Sequence, residues 1–431
     1  MSNTKPNTNI KSNSNSSKLK VLVVVDVQNC FIAGGSYGGH EKNSIDGTKL
    51  KNSINQIMEI SELIDNNDSI ILTRDYHPIN HLSIGNGKKV AINYDATHPT
   101  HCLNTNSKAC LRKEKSGKNL GLTNKEISNI RSRSYISIED YLEEKFNIIK
   151  FKNNKNNNKN ELKEAFLEIP KELYKQKIIG TNLSWLYSIT KYGNIISELM
   201  NKKIPIGIKL QDKSIKPKFS NITIPKPYEV NGKKFIELVK GQLCSYESYS
   251  AFNYHLKLEK SENKTNNGLV KYSSRYIIPE YEKDKKLKDL STGLFEYILN
   301  TTKKNIEITV CGLVGEICVI NTIVEGLIMW NLEYSKIKKK SSFFGMSTTT
   351  TNSDKKVIFN YSLSGTLFTG LGLFGFNQTV KQTDFFNKII DYLNNFVDNK
   401  YKKYIKFNVL DNNEYVGTIY YDSSTQSFLY P

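Results

Sequence analysis

The sequence is short of the residues that staple or ligate a small fold. Its six cysteines (Cys30, Cys102, Cys110, Cys244, Cys311 and Cys318) form no CxxC pair and keep no regular spacing, which argues against a disulfide framework or a zinc finger. Only six histidines occur in 431 residues. No apolar run reads as long enough to span a bilayer, and residues 1–18 lack the apolar segment of a signal peptide, so the expected location is the cytoplasm. Hydrophobic residues make up 38% of the chain, low for a globular protein, because Lys and Asn are over-used. The formal charge of +19 would suit nucleic acid or an anionic membrane. The lysines, however, are scattered among asparagines rather than gathered on one helix. That distribution argues for a solvated surface and against either partner.

What the chain does contain is a set of buried-strand signatures, each followed by a chemically capable residue. Ile308-Thr309-Val310-Cys311 is β-branched and apolar without polar alternation, as a strand covered on both faces reads. Gly312 and Gly315 permit a sharp turn. From Glu316 the apolar residues Ile317, Ile320, Ile323, Val324, Leu327 and Ile328 recur at helical spacing. Cys318 thus falls at a helix start, where free N–H groups and the helix dipole favour thiolate. Lys20 to Val25 is a second such strand, ending in Asp26, a carboxylate that is costly there unless paired or working. Ser69 to Thr73 is a third, followed by Arg74-Asp75-Tyr76-His77-Pro78-Ile79-Asn80-His81. Thr97-His98-Pro99-Thr100-His101-Cys102 follows, so four of the few histidines crowd between His77 and His101. Asp75 and His77 share a side of an extended segment. A carboxylate with imidazoles suits Zn²⁺, Fe²⁺ or Mn²⁺. Lys234 to Val239 predicts a fourth strand, closing on Lys240-Gly241.

Between these blocks the pattern loosens. Asn153 to Asn160 is low-complexity, and Ser137–Phe146 and Leu183–Met200 read as helical pieces within a polar insertion. Gly47–Asn66 and Phe385–Val397 have helical spacing, Gly293 to Asn300 starts another helix, and Lys356–Tyr361 reads as a strand. Gly370 to Gly375 matches GxGxxG formally, without the acidic residue a dinucleotide site needs. Tyr404–Tyr430 alternates in period two around Asp411-Asn412-Asn413, which predicts a terminal β-hairpin. The expected organisation is a tail at 1–18, a core at 19–110, a Lys/Asn-rich insertion at 111–233, a second core part at 234–390 with a charged excursion at 257–289, and an extension at 391–431.

In open α/β sheets the working residues gather beyond the carboxyl ends of the strands. Asp26, Asp75, Lys240 and Cys318 all stand there. One crevice could hold them, with Cys318 as nucleophile, Lys240 stabilising its thiolate and Asp26 moving protons.

The blocks VVVDVQNCFIAGGS, RDYHPINHLS, HPTHC, VKG…SYSAF and VCGLVGEICV resemble, in order, the motifs of the nicotinamidase branch of the isochorismatase-like cysteine hydrolases. The resemblance covers roughly Leu19–Cys110 and Lys234–Trp330. It implies a three-layer, doubly wound parallel sheet and hydrolysis of nicotinamide to nicotinate and ammonia in NAD salvage. It implies a triad of Asp26, Lys240 and Cys318, and an oxyanion hole of the backbone N–H groups of Val314 and Cys318, with a cis peptide at Leu313-Val314. One divalent metal would sit on Asp75, His77 and His101, with His81 as further ligand or neighbour; zinc is favoured, iron or manganese being alternatives. Phe31 matches an aromatic residue of the ring pocket. Cys30 stands where the family usually has Asp, and His98 where it usually has a stacking Trp. Another small amide is therefore the alternative substrate, and self-association stays open. The rival of a different class is a non-catalytic scaffold whose basic insertions bind nucleic acid or protein.

Overall fold

The computed structural model describes residues 18–32, 47–79, 81, 102–104, 123–125, 128, 183–201, 227–242, 246–252, 256–257, 292–301, 305–343, 356–368, 382–397 and 399–430. The expected tail, the low-complexity stretch 153–160, the helix at 137–146, most of the charged excursion and the GxGxxG lie outside them, as do His98 and His101.

A nine-stranded sheet carries the molecule. Its central strands are β1 (Leu19–Val25), β2 (Ser69–Asp75), β6 (Lys233–Lys240), β9 (Ile306–Gly312), β10 (Val357–Thr366) and β11 (Lys406–Asp411), each parallel to its neighbours in this group. Numbered by their order in the chain, these strands run 3-2-1-4-5-6 from β6 to β11. Antiparallel strands finish both edges: β5 (Tyr228–Val230) against β6, and β12 (Glu414–Asp422) then β13 (Ser427–Leu429) beyond β11. Short pairings join β3 (His77–Pro78) to β4 (Leu103–Asn104), and β7 (Tyr246–Glu247) to β8 (Leu256–Lys257).

Alternation along the strands sorts the core into two layers. Val21, Val23 and Val25 of β1 and Ile306, Ile308 and Val310 of β9 face one cluster, while Leu22, Val24 and Cys311 face the other. The first layer is filled by α3 (Leu294–Thr301), α4 (Ile320–Phe343) and α5 (Gln382–Phe396), with a short α6 (Asn399–Lys402) after them. The second is filled by α1 (Gly47–Asp65), a 3₁₀ turn (Trp185–Ile189) and α2 (Gly193–Asn201). Burying each such aliphatic side chain contributes about 1.5–3 kcal/mol relative to leaving it in water.

Two expectations change here. The stretch Gly315–Leu332 is long and apolar enough to cross a membrane by length and composition, but 89% of it is buried inside the protein. It is the core helix. The strand β5 was not foreseen: it is short, half-exposed and pairs through a turn at Asn231-Gly232 in which both residues take positive φ.

Candidate active site

Chain order reverses across the sheet between β1 and β9, so a crevice opens at their carboxyl ends. Asp26 follows β1 with φ of 50°, fully buried. Its backbone N–H donates to Thr73 Oγ1 at 3.0 Å, and that hydroxyl donates to Asp26 Oδ1 at 2.7 Å. The other carboxylate oxygen meets Lys240 Nζ at 2.7 Å. Lys240 closes β6, is 1% exposed, donates to the Ser248 carbonyl at 2.7 Å and lies 3.9 Å from Cys318 Sγ. One ammonium therefore bridges the carboxylate, the thiol and the 246–252 segment. That segment is anchored in turn, since Ala251 N–H donates to Thr322 Oγ1 at 3.1 Å and Thr322 Oγ1 donates to the Cys318 carbonyl at 2.7 Å.

Cys318 sits in a wide π turn, Gly315–Val319, that precedes α4 rather than in the first turn of the α-helix itself. Before it the Leu313–Val314 peptide is cis, at the position the family resemblance implies. The turn is held from three sides. Leu313 N–H donates to the Val25 carbonyl at 2.7 Å and Gly315 N–H to the Leu367 carbonyl at 2.9 Å. Gln56, buried on α1, donates to the Gly312 carbonyl at 3.0 Å and to the Gly365 carbonyl at 3.2 Å. Gly312 has φ of 120°, and a Cβ there would lie 2.1 Å from the Val25 oxygen, so β1 and β9 can run this close only with glycine.

The electrostatics differ in sign from the expectation at one point. Burial pushes the Cys318 thiol well above the ordinary range; the Lys240 ammonium pulls it down, the Asp26 and Asp75 carboxylates add to the rise, and the Val314 N–H lowers it. At this sulfur, loss of solvent outweighs the cation, so the direction of the shift is upward. Burial raises Asp26 too, opposed by Lys240 and reinforced by Asp75. Desolvation would lower Lys240, but Asp26, Cys318 and Asp75 hold it above the ordinary ammonium range, so it stays charged. Burial thus raises the proton affinity of both Asp26 and Cys318, with the Lys240 cation between them opposing it.

Asp75 ends β2 alongside. Gln28, two residues after Asp26, clasps it by the backbone: Asp75 N–H donates to Gln28 Oε1 at 2.7 Å and Gln28 Nε2 donates to the Asp75 carbonyl at 2.9 Å. His77 Nε2 lies 3.0 Å from Asp75 Oδ2, and its Nδ1 lies 3.1 Å from the Gly241 carbonyl. The His81 ring stacks on His77 at 4.3 Å. A neutral imidazole has one N–H, so it can satisfy only one of two acceptors and sets lone pair against lone pair at the other. An imidazolium resolves this, and Asp75 and His77 are also the donor types that would hold a divalent cation. Among the described residues no group of three or more potential metal ligands comes together, and the expected ligand His101 lies outside them.

The structure thus brings Asp26, Lys240 and Cys318 into one cluster, with Asp75, His77 and His81 beside it, and Phe31 is buried in the second core layer with Leu186 and Tyr187. Thr73, Gln28, Gln56 and the Ser248 carbonyl were not foreseen. Also unforeseen is a disulfide between Cys30 and Cys102, whose Cα atoms are 5.5 Å apart across a sequence separation of 72. No framework of bridges exists among the described cysteines, but this single one does; Cys311 and Cys318 are free.

No family model matches the chain, and no curated protein matches it. Among solved structures it is similar to the yeast nicotinamidase Pnc1p, at 13% identity over 91% of this chain and 99% of that one, with a TM-score of 0.31. It is also similar to an Acinetobacter baumanii nicotinamidase, at 14% identity over 72% and 78%, with a TM-score of 0.27. A third is PnC1 from L. infantum in complex with nicotinate, at 13% identity over 72% and 74%, with a TM-score of 0.28. The first two are named nicotinamidases. Likenesses this distant assign no activity, so the functional reading stands on the side chains themselves.

Proposed function

We propose that the chain is a cysteine amidohydrolase of the nicotinamidase type, converting nicotinamide to nicotinate and ammonia through a thioester. The observation that carries this reading is the buried Lys240 ammonium lying between the Asp26 carboxylate and the Cys318 sulfur. A purely structural lysine would not hold a thiol in a site whose backbone is also shaped around that sulfur.

In this mechanism Asp26 takes the thiol proton as Cys318 Sγ attacks the carboxamide carbon. The oxygen of the carbonyl becomes negative and is held by the backbone N–H groups of Val314 and Cys318. Asp26 passes its proton to the amide nitrogen, the C–N bond breaks and ammonia leaves. Water then loses a proton to Asp26 and attacks the thioester, releasing nicotinate and restoring the thiol. Lys240 keeps its charge throughout and stabilises whichever partner is anionic. Asp75, His77 and His81, with His101, would hold the divalent cation, which supplies a Lewis acid for the ring nitrogen of the substrate. Phe31, buried with Leu186 and Tyr187, would form one wall of the ring pocket.

The test is ammonia release from nicotinamide by purified protein, beside Cys318→Ala and after treatment with a chelator. Turnover that disappears in Cys318→Ala and falls with the chelator is the expected result. A protein that turns over no nicotinamide while folded and metal-loaded would overturn the substrate assignment.

A further inference from the structure

The Cys30–Cys102 bond joins the two segments that the site needs in register. Cys30 lies in the turn after Asp26, which is built by Gln28: Phe31 N–H donates to the Gln28 carbonyl at 3.0 Å, while the Gln28 side chain clasps Asp75. Cys102 has φ of 46° and immediately precedes β4, whose pairing with β3 carries His77. The backbone itself makes the link, because His77 N–H donates to the Cys102 carbonyl at 2.9 Å. Both cysteines are fully buried. Beside this bond, the Gln28 clasp on Asp75 and the Thr73–Asp26 hydrogen bonds tie the end of β2 to the β1 turn, but His77 itself, one step beyond Tyr76, is held on that side through Cys102.

We infer that Cys30–Cys102 is a positioning clamp for the metal-binding side chains, so that cation retention depends on the oxidation state of this pair. The inference rests on the metal reading of Asp75 and His77 and adds regulation of that site. Disulfides in reducing compartments are commonly redox-sensing, whereas those in oxidising ones are structural. Reduction by a trialkylphosphine is balanced by water: the phosphine becomes its oxide, the S–S bond breaks, and Cys30 and Cys102 each gain a hydrogen.

Three measurements on the full chain test this. Peptide mapping without reductant should show Cys30 linked to Cys102; finding both as free thiols would overturn the clamp. The oxidised protein, loaded with zinc and challenged with a chromophoric chelator, should retain zinc at least tenfold more tightly than the Cys30→Ser/Cys102→Ser variant, with circular dichroism confirming that both are folded. Should that variant not fold, phosphine reduction of the zinc-loaded wild type under native conditions should release zinc to the chelator. Equal retention before and after the bond is removed would overturn the inference. A wild type that binds no zinc at all would remove the metal reading and the clamp's role with it, whereas nicotinamide turnover in that same protein would leave the triad standing.

Discussion

A lysine ammonium with 1% exposure is held in place by what surrounds it, and Lys240 has a carboxylate, a carbonyl and a sulfur. Its removal leaves Asp26 buried without its cation. Lys240→Met should therefore destabilise the fold by about 3–5 kcal/mol. Adding Asp26→Asn, which keeps an oxygen for Thr73 and removes the charge, should restore most of that loss while the protein stays inactive. Urea unfolding of the two variants checks this; a double variant no more stable than the single one would mean that the pair is not coupled. Glu59 is a second residue whose charge is out of place. Burial raises its carboxyl, the Ser364 hydroxyl at 3.0 Å lowers it, and Glu62 and Asp411 add to the rise. With the folded pKa above the unfolded one, the native state holds the proton more tightly, so its stability falls as pH rises from the unfolded value through the folded one. Glu59→Gln keeps the hydrogen bond and loses the repulsion. At pH 7 it should be more stable than its parent by less than about 1 kcal/mol, since the site is half open to solvent. Below the ordinary glutamate pKa the urea midpoints of the two should coincide.

Between elements, the decisive positions are turns where one backbone passes close to another. Gly241 follows β6 at φ of 72°, and a Cβ there would lie 2.5 Å from Asp75 Oδ1 and 3.0 Å from His77 Nδ1. Gly232, in the β5–β6 turn, has a similar φ of 76° with nothing within 4 Å of the added carbon. Both substitutions to Ala impose a left-handed backbone on a residue with a side chain, which costs about 1–2 kcal/mol. Only Gly241→Ala should also lower zinc content and amide turnover, and metal analysis of the two variants separates the effects. The same contrast explains what the sequence could and could not disclose. Strands β1, β2 and β9 were legible because β-branched runs buried on both faces have no polar alternation, and β6 because its apolar run is broken only by Glu237; Asp26, Asp75, Lys240 and Cys318 were legible because each ends or follows such a run. Thr73, Gln28 and Gln56 were not, because their partners are 47, 47 and 256 residues away and are set by sheet register. The Cys30–Cys102 pair likewise had no spacing signal. The upward push on the Cys318 thiol had no signal in the sequence, because a helix start is a local feature whereas burial is a tertiary one.

At the scale of the whole molecule, the carboxyl-terminal strands raise the question of whether they are an appendage or part of one core. β11 pairs in parallel with β10, so it continues the sheet that carries the site rather than folding back on itself alone. Phe407, Val409, Ile419 and Phe428 are buried in the same cluster as Val310, Phe359 and Trp330. The face they cover is the one on which α4 lies, and α4 follows directly from the turn that holds Cys318. Losing packing at the far edge should therefore be felt at the site. Phe407→Ala should cost about 3–5 kcal/mol, the range for emptying a buried phenylalanine position, and Phe359→Ala at the centre of the sheet should cost a comparable amount. Tryptophan fluorescence, which includes buried Trp330, and far-ultraviolet circular dichroism should then shift together in denaturant for both variants. If Phe407→Ala moved an early transition seen by dichroism while the fluorescence midpoint stayed in place, the strands would be a separately melting unit, and the site would not depend on them.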